Sequence, residues 1–429
     1  MPNSICSPRA RGANSIMAVK FETAYGTPPS GNYMQLPFVS HSLGEEFGLI
    51  EDDMLGTGRE GLDPVPDAIT NAGDLTVPVD VRAFGHWLAL FLGNPAANPV
   101  AAASAGMTIQ MLKQPDVNST ITINGVAFTA KASGATGAQF NIGATLAETV
   151  ANLVAVLEAS SNSSVTPASY AAASGATKFT ITHDTPGRGG NSFTVAAQAA
   201  FNAKIPTATL TGGCVKHVFS SGATCLPSAA IEFGQPDIGQ YDMNYGVVGN
   251  TLRIGMSRSG SLSAALGLIG KGSTEAQTSA AGTPGAVEID RFAQATGSIV
   301  KDGVSLASVK GASVGFSNNM EPVDSITEDQ RIEGVDPGLF RASGEITTLW
   351  RDSVLDDAAI AREPVSLEFG WKFGNYRLTF KVPRVFLPKP KRSVTGPGGI
   401  QRTYNWQASG EGVAAMLTVE LVNDVETYA

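Results

Sequence analysis

The side chains best suited to chemistry are few and scattered along the 429 residues. His41, His86, His183 and His217 fall in separate segments with no HxH or HxxxH spacing, so no pair shares a face as zinc ligands do. His86 sits among apolar residues of a predicted helix and reads as a packed side chain. Cys6, Cys214 and Cys225 are odd in number and lack CxxC spacing, which argues against a disulfide framework or a zinc site and fits a reducing place of synthesis. Glu45-Glu46 and Glu51-Asp52-Asp53 carry oxygens suited to a hard cation, but the run lacks the spacing and the glycine of an EF-hand and reads as a solvated or interface-facing loop. Gly255-Met256-Ser257-Arg258-Ser259 is one position away from a GxSxG nucleophile elbow and reads as a strand end. Gly187-Arg188-Gly189-Gly190-Asn191 lacks the Lys-Ser/Thr of a phosphate loop and reads as a turn. Glycan hydrolysis needs a paired-carboxylate cleft, and none is discernible. No catalytic, cofactor or metal site is predicted.

One basic stretch stands out. Lys389-Pro390-Lys391-Arg392 is flanked by the segments 380–387 and 403–407, and is closed by Gly396-Pro397-Gly398-Gly399. It reads as the tip of a long hairpin whose prolines spoil edge pairing. Two readings stand side by side: a solvated loop, or a tongue that docks on an acidic patch of a neighbouring copy such as 45–53.

These groups are carried by a chain that states one pattern twice. GREGLDPVPDAITNAGDLTVPVD (residues 58–80) is echoed by DQRIEGVDPGLFRASGEITTLWRD (residues 329–352), with Gly73-Asp74-Leu75-Thr76 answering Gly344-Glu345-Ile346-Thr347 at an offset of 271 (344 minus 73). Ile231-Glu232-Phe233-Gly234 answers Leu367-Glu368-Phe369-Gly370 at an offset of 136 (367 minus 231). The first copy therefore holds an extra 135 residues (271 minus 136) between Leu92 and Ile231. Duplication of this kind serves architecture and symmetry more often than catalysis.

Alternation predicts strands. Leu75, Val77, Val79 and Val81 share one face, and Pro78 places that strand at an edge or turns its missing donor outward. Leu367, Phe369, Trp371 and Phe373, then Gly374-Asn375, then Tyr376, Leu378, Phe380 and Val382 read as a tight hairpin. Leu417, Val419 and Leu421 form a last strand. Each copy also carries a short helix. Phe84, Trp87, Leu88 and Phe91 follow i, i+3, i+4, i+7, with Asp80 as cap and Gly93-Asn94-Pro95 as stop; Ser353 caps a run through Leu355, Ala358 and Ala359. In the interruption, TITINGVAFT (120–129) pairs about Asn124-Gly125. A helix over 146–157 begins with a Thr145/Glu148 capping box, and KFTITH (178–183) and NSFTVAA (191–197) supply further strands. The predicted fold is mainly β (α+β): two tandem domains, each with one short helix, and an inserted small β-β-α-β-β domain. The expected division is an N-terminal extension or arm over 1–16, a first domain over 17–106 and 213–282, the insert over 107–212, and a second domain over 283–429.

Composition narrows the function. Apolar residues make up 43% of the chain, enough for real cores, while charged residues make up only 16%. So few charges suit a protein packed against its own kind. A formal charge of −9 excludes a tight nucleic-acid binder that works by phosphate neutralisation, yet suits a wall past which DNA slides. There is no apolar signal region at the N-terminus and no run of eighteen apolar residues, so neither secretion nor membrane insertion is expected.

The segments at 21–40, 61–88, 317–338, 386–408 and 417–425 resemble the major tail tube proteins of long-tailed, non-contractile (siphovirus) bacteriophages. TINGVAFTAKASGATGAQFNIGATLAETVANLVAVLEAS (122–160) is similar to a module that recurs as an insertion in phage tail proteins. The resemblance implies β-sandwich tube domains whose sheets join into one barrel around the DNA channel. It implies six-subunit rings for single-domain chains and trimeric, pseudo-hexameric rings for duplicated ones. It implies contacts between stacked rings through 387–399, 44–66 and 17–30, and Glu45, Glu51, Asp52, Asp53, Arg59, Lys389, Lys391, Arg392, Tyr25 and Phe21 as subunit or ring interface residues. Implied partners are further copies of the chain, the tape-measure protein, tail terminator and distal tail proteins, and phage DNA bound without base contacts. No cofactor is implied; the place is the virion tail, assembled in the host bacterial cytoplasm. The insert is expected as a knob on the outer surface. An alternative from another class is a capsid decoration or surface adhesin displaying an Ig-like module.

Overall fold

The structure is a computed structural model that describes residues 9–51, 54, 62–95, 100–173, 175–326, 328–351, 353–391, 396, 398–410, 412 and 415–428. The first repeat opens with β1 (Ile16–Phe21), β2 (Gly44–Ile50), β3 (Val65–Pro78) and α1 (Phe84–Leu92). Leu75, Val77, Val79 and Val81 are all fully buried, as their shared face requires. Pro78, however, does not mark an edge strand. β3 runs between two neighbours, pairing with β2 on one side and with the later strand Ser263–Gly270 on the other, and Pro78 is simply its last residue, where no donor is needed toward β2. Phe84, Trp87, Leu88 and Phe91 bury the core face of α1. Asp80 receives the Arg82 and Ala83 amides at 2.7 and 2.5 Å and so caps the turn that leads into α1.

After the insertion, which contains α2 (Leu146–Glu158), the first repeat resumes with β4 (Ala229–Gln235), β5 (Gln240–Met256) and β6 (Ser263–Gly270). The second repeat follows the same order: β7 (Ser298–Lys301), β8 (Val309–Ser317), β9 (Arg341–Leu349), α3 (Val354–Ala361), β10 (Val365–Phe373), β11 (Tyr376–Phe386) and β12 (Gln401–Ala408), then a closing β13 (Thr418–Asn423). Register shows that the repeats are copies down to their irregularities. β4 pairs with β5 through Ala229↔Val247, slips, and continues from Ile231↔Asn244. β10 pairs with β11 through Val365↔Val385, slips, and continues from Leu367↔Val382. The same bulge thus recurs at corresponding residues. The β10–β11 turn is the tight one expected, with Gly374 at φ +58 between Phe373 and Tyr376.

Each repeat is two layers of sheet with its helix packed against them, and one hydrophobic cluster runs through both repeats. β5 is long enough to serve both layers. Its first half lies between β4 and the strand Gly272–Ala276, and its second half lies beside β6. The change of layer falls at Gly246 (φ +65), whose amide donates to Glu22 Oε1 at 2.8 Å. In α3 the expected cap is absent: the Ser353 hydroxyl turns to Asp357 Oδ2 at 2.6 Å and bonds no backbone amide.

The insert is richer than β-β-α-β-β. The Thr120–Ile123/Val126–Lys131 hairpin turns at Asn124-Gly125, and the Thr145/Glu148 capping box is formed in full. But eight short strands make two four-stranded sheets around α2 and a separate apolar cluster. Within 191–197 only Val195–Ala197 is strand, because the Asn191 side chain both donates to and accepts from the Gly213 backbone (2.8 and 2.9 Å) and the chain before it closes a 3-10 turn, Arg188–Ser192. The two stems of the insert pair with each other, Val100–Ala103 against Cys214–Ser220, and the second pairs onward with β13. An insertion in the first repeat is therefore seated on the back layer of the second. Arg82 reinforces the link, with Nε and Nη2 each 2.8 Å from Asp424 and Nη1 2.9 Å from Asp290.

Candidate functional site: the open face and the free edges of a shared wall

The front layers of the two repeats are one sheet. Its order is β2–β3–β6–β5–β8–β9–β12, with Val385 and Phe386 of β11 closing the far side, and the junction between repeats is the antiparallel pair β5–β8 from Thr251↔Ser317 to Met256↔Ala312. Side chains alternate across it, apart from register slips at Phe47/Leu49, Gly249/Thr251 and Val309/Gly311. Leu75, Leu266, Leu252, Val314, Ile346 and Trp406 enter the core. The other face shows Asp74, Thr251, Arg253, Ser343, Glu345, Thr403, Asn405 and Gln407. It is polar, mostly uncharged, and carries few large side chains. Arg253 and Glu345 offset each other at 3.9 Å, and Thr347 and Thr403 join hydroxyls at 2.8 Å. A shallow groove along this face is lined by Thr251, Arg253, Ser343, Glu345, Asn405 and Gln407, with Arg341 at its side. Among the described residues no group of three His, Cys, Asp or Glu could hold a metal ion, and no helix is long and apolar enough to cross a membrane.

The close fit between strands explains the motif glycine of each repeat. A Cβ on Gly73 would lie 2.4 Å from the Ser42 carbonyl oxygen, and one on Gly344 would lie 2.0 Å from that of Ser313. Ser42 and Ser313 are themselves related by the same offset of 271 (313 minus 42). The second copy adds Trp406, whose indole lies 2.7 Å from the place of that Cβ.

Two polar clusters are buried behind the wall. Asp356 of α3 is ion-paired to Arg402 of β12, receives the Tyr404 hydroxyl at 2.6 Å, and is only 5% exposed; the guanidinium also lies 3.7 Å from the Trp350 ring centroid. At the start of α1, burial pushes the Asp80 carboxyl up to about 6, against the pull of the Arg82, Ala83 and Phe84 amides, while burial pushes His86 down to about 4. Neutral forms of both are therefore favoured by folding. Asp80 contributes stability that is present below about pH 4 and lost as pH rises through about 6; His86 contributes stability lost as pH falls from about 6.5 toward 4. The two trends oppose each other over this range. Asp80→Asn keeps the acceptor for the Arg82 and Ala83 amides, so relative to wild type it should gain roughly 2 kcal/mol between pH 4.5 and 7.5. Urea unfolding of unassembled chain at both pH values measures this; an unchanged difference contradicts it.

The predicted interface residues that the structure describes sit on separate elements. Asp52, Asp53, Arg59 and Arg392 lie outside the described residues. Glu51 is exposed beyond β2. Glu45 is already occupied within the chain, since Arg331 reaches it at 2.9 Å and the Ser273 amide at 2.7 Å, so it is not an open docking charge. Phe21 ends β1 and lies 6.5 Å from the His86 ring. Tyr25 packs under Lys271, and burial, aided by Glu22, pushes its phenol up to about 12. Lys389 and Lys391 are exposed, but among the described residues the predicted hairpin beneath them is a ladder of two pairs, Val385↔Ala408 and Phe386↔Gln407, because the rest of β11 is held by β10 and β13. Within the expected contact range 44–66, the residues not singled out by type form an apolar arm. Phe47, Leu49 and Ile50 of β2 and Val65 of β3 project past the wall, each more than half exposed. A lone β2–β3 ladder exposing this much apolar surface marks a contact site.

A protein-family model described as phage tail tube protein matches the chain over residues 12–215 and again over 189–408, the second match ending with β12. No curated protein matches the chain.

Proposed function

The chain belongs to the phage tail tube protein family, and from this premise we propose that three copies close into a ring, each supplying eight strands of wall, and that rings stack into a tube around a tape-measure protein. The observation that carries this reading is the β5–β8 junction: the chain already joins two equivalent units edge to edge in one continuous sheet. Repeating that junction between chains gives six units from three copies, with the open face of the wall turned to the lumen. Its balanced charges and small polar side chains give DNA neither a basic track nor an apolar surface to stick to. The insert, seated on the back layer, then lies outside the tube once per chain. Terminator and distal tail proteins meet the ends of the stack.

The exposed arm of β2 and β3 supplies stacking area between rings. Phe47→Ser with Leu49→Ser is expected to leave folding stability within about 0.5 kcal/mol, as for exposed sites. It should raise the concentration needed for assembly by roughly tenfold or more, through lost apolar burial. Light scattering against protein concentration measures the shift. The reading itself is tested by negative-stain imaging of concentrated wild-type protein. Hollow tubes are expected; a chain that stays monomeric under all conditions sinks it.

A further inference from the structure

The internal junction also fixes which residues meet between chains, and this inference rests on the tube reading above. β5 and β11 correspond at an offset of 138, set by Ala229↔Val247 with Val365↔Val385, and again by Val248↔Ile269 with Phe386↔Gln407. β2 and β8 correspond at 271, set by Gly44↔Ala72 and Ser40↔Thr76 with Ser313↔Glu345. In the internal junction Thr251 faces Ser317 and Arg253 faces Gly315. Carried to the outer edges, Thr251 becomes Lys389, Arg253 becomes Lys391, Ser317 becomes Glu46 and Gly315 becomes Gly44.

We propose that residues 387–391 of one copy add as an antiparallel strand to the free edge of β2 of a second copy, with Lys389 opposite Glu46 and Lys391 opposite Gly44, and that the prolines make this contact one-way. Residues 387–391 belong to no strand and are paired to no backbone group among the described residues. The Ser42 amide donates to Asp74 O in the β2–β3 direction, so the Glu45 and Phe47 amides, an odd number of residues away, point out of the sheet. Across the internal junction the Asn318 amide donates to Asn250 O, and Asn250 and Leu252 correspond to Pro388 and Pro390. The carbonyls of Pro388 and Pro390 therefore face Phe47 and Glu45 as acceptors, while neither proline has an N–H to offer in return. Two such acceptor-only edges cannot pair with each other. The β2 edge of another copy can satisfy them, which favours a head-to-tail contact that closes a ring over a self-paired dimer. Lys389 and Glu46 fall on the same open face, so the register also matches opposite charges.

The test is disulfide capture in full-length protein with Cys6 and Cys225 changed to serine. Lys391→Cys with Gly44→Cys places two thiols directly opposite each other; Lys391→Cys with Glu46→Cys places them two residues out of register. Oxidised tubes of the first variant are expected to run as covalent trimers in denaturing, non-reducing gels, at least tenfold more than those of the second. Tubes that assemble normally but give no more trimer in the first variant than in the second overturn the register and leave the tube reading standing. Covalent dimers from Lys389→Cys alone, through contact of two 387–391 edges, overturn the one-way pairing. Chains that never associate overturn both this and the tube.

Discussion

Replacing Asp356 with alanine is expected to destabilise the second repeat by about 3–5 kcal/mol, the range for removing one partner of a buried ion pair. The reason lies in what would remain. Arg402 is 3% exposed on a wall strand, and Asp356 is the carboxylate paired with it. The truncation leaves a buried guanidinium over the Trp350 ring without its paired carboxylate, and takes the Asp356 acceptor from the Tyr404 hydroxyl. Because α3 supplies Asp356 and β12 supplies Arg402 and Tyr404, the damage falls on the contact between helix and wall. Urea unfolding measures the loss. Asp356→Ala combined with Arg402→Met, a close match in length without the charge, is expected to recover at least half of it. A single variant within 1 kcal/mol of wild type contradicts this account of the cluster.

Gly344→Val is expected to cost about 3 kcal/mol, the upper end for overpacking a rigid site. The added Cβ would meet the Ser313 carbonyl on the neighbouring strand and the Trp406 indole, and neither can yield without opening the β8–β9 or β9–β12 ladder. Gly73→Val meets the Ser42 carbonyl but no indole, since the residue paired with Gly73 is Leu268. It should cost less, by about 1 kcal/mol. Thermal or urea unfolding of the two variants side by side tests both the steric origin of the glycine and the difference between the copies. Equal, small losses would mean that the strands adjust freely.

Local patterns in the sequence translated directly into structure. The alternation around Leu75 and Leu367, the Phe84–Phe91 helical face, the Thr145/Glu148 capping box and the Gly374 turn each depend on neighbours within a few residues. The two-copy pattern was equally legible, because Gly73 and Gly344 are held by the same contact. What was hidden depends on partners far away in the chain. Pro78 reads either as an edge signal or as a missing donor turned outward, and the choice rests on β6, which gives β3 its second neighbour from residues almost two hundred positions later. β5 serves two layers, and its change of layer at Gly246 is held by the Glu22 carboxylate from 224 residues earlier. Ser353 reads as a cap until Asp357, one turn on, takes its hydroxyl. Glu45 reads as an open charge until Arg331, 286 residues away, claims it. The candidate surface was the least legible part of all. It is defined by backbone edges and a polar sheet face, and neither leaves a motif.

The central claim is that the chain is a doubled wall unit whose internal junction repeats between copies. Cryo-electron microscopy of assembled tubes tests it most directly, because the inner wall and the outer knobs report different symmetries. The account expects a lumen wall of near-sixfold symmetry, built of three chains with eight strands each, surrounded by threefold knobs from the insert. A ring of six chains, or a wall in which β2 and residues 387–391 of neighbouring copies do not meet, would contradict it.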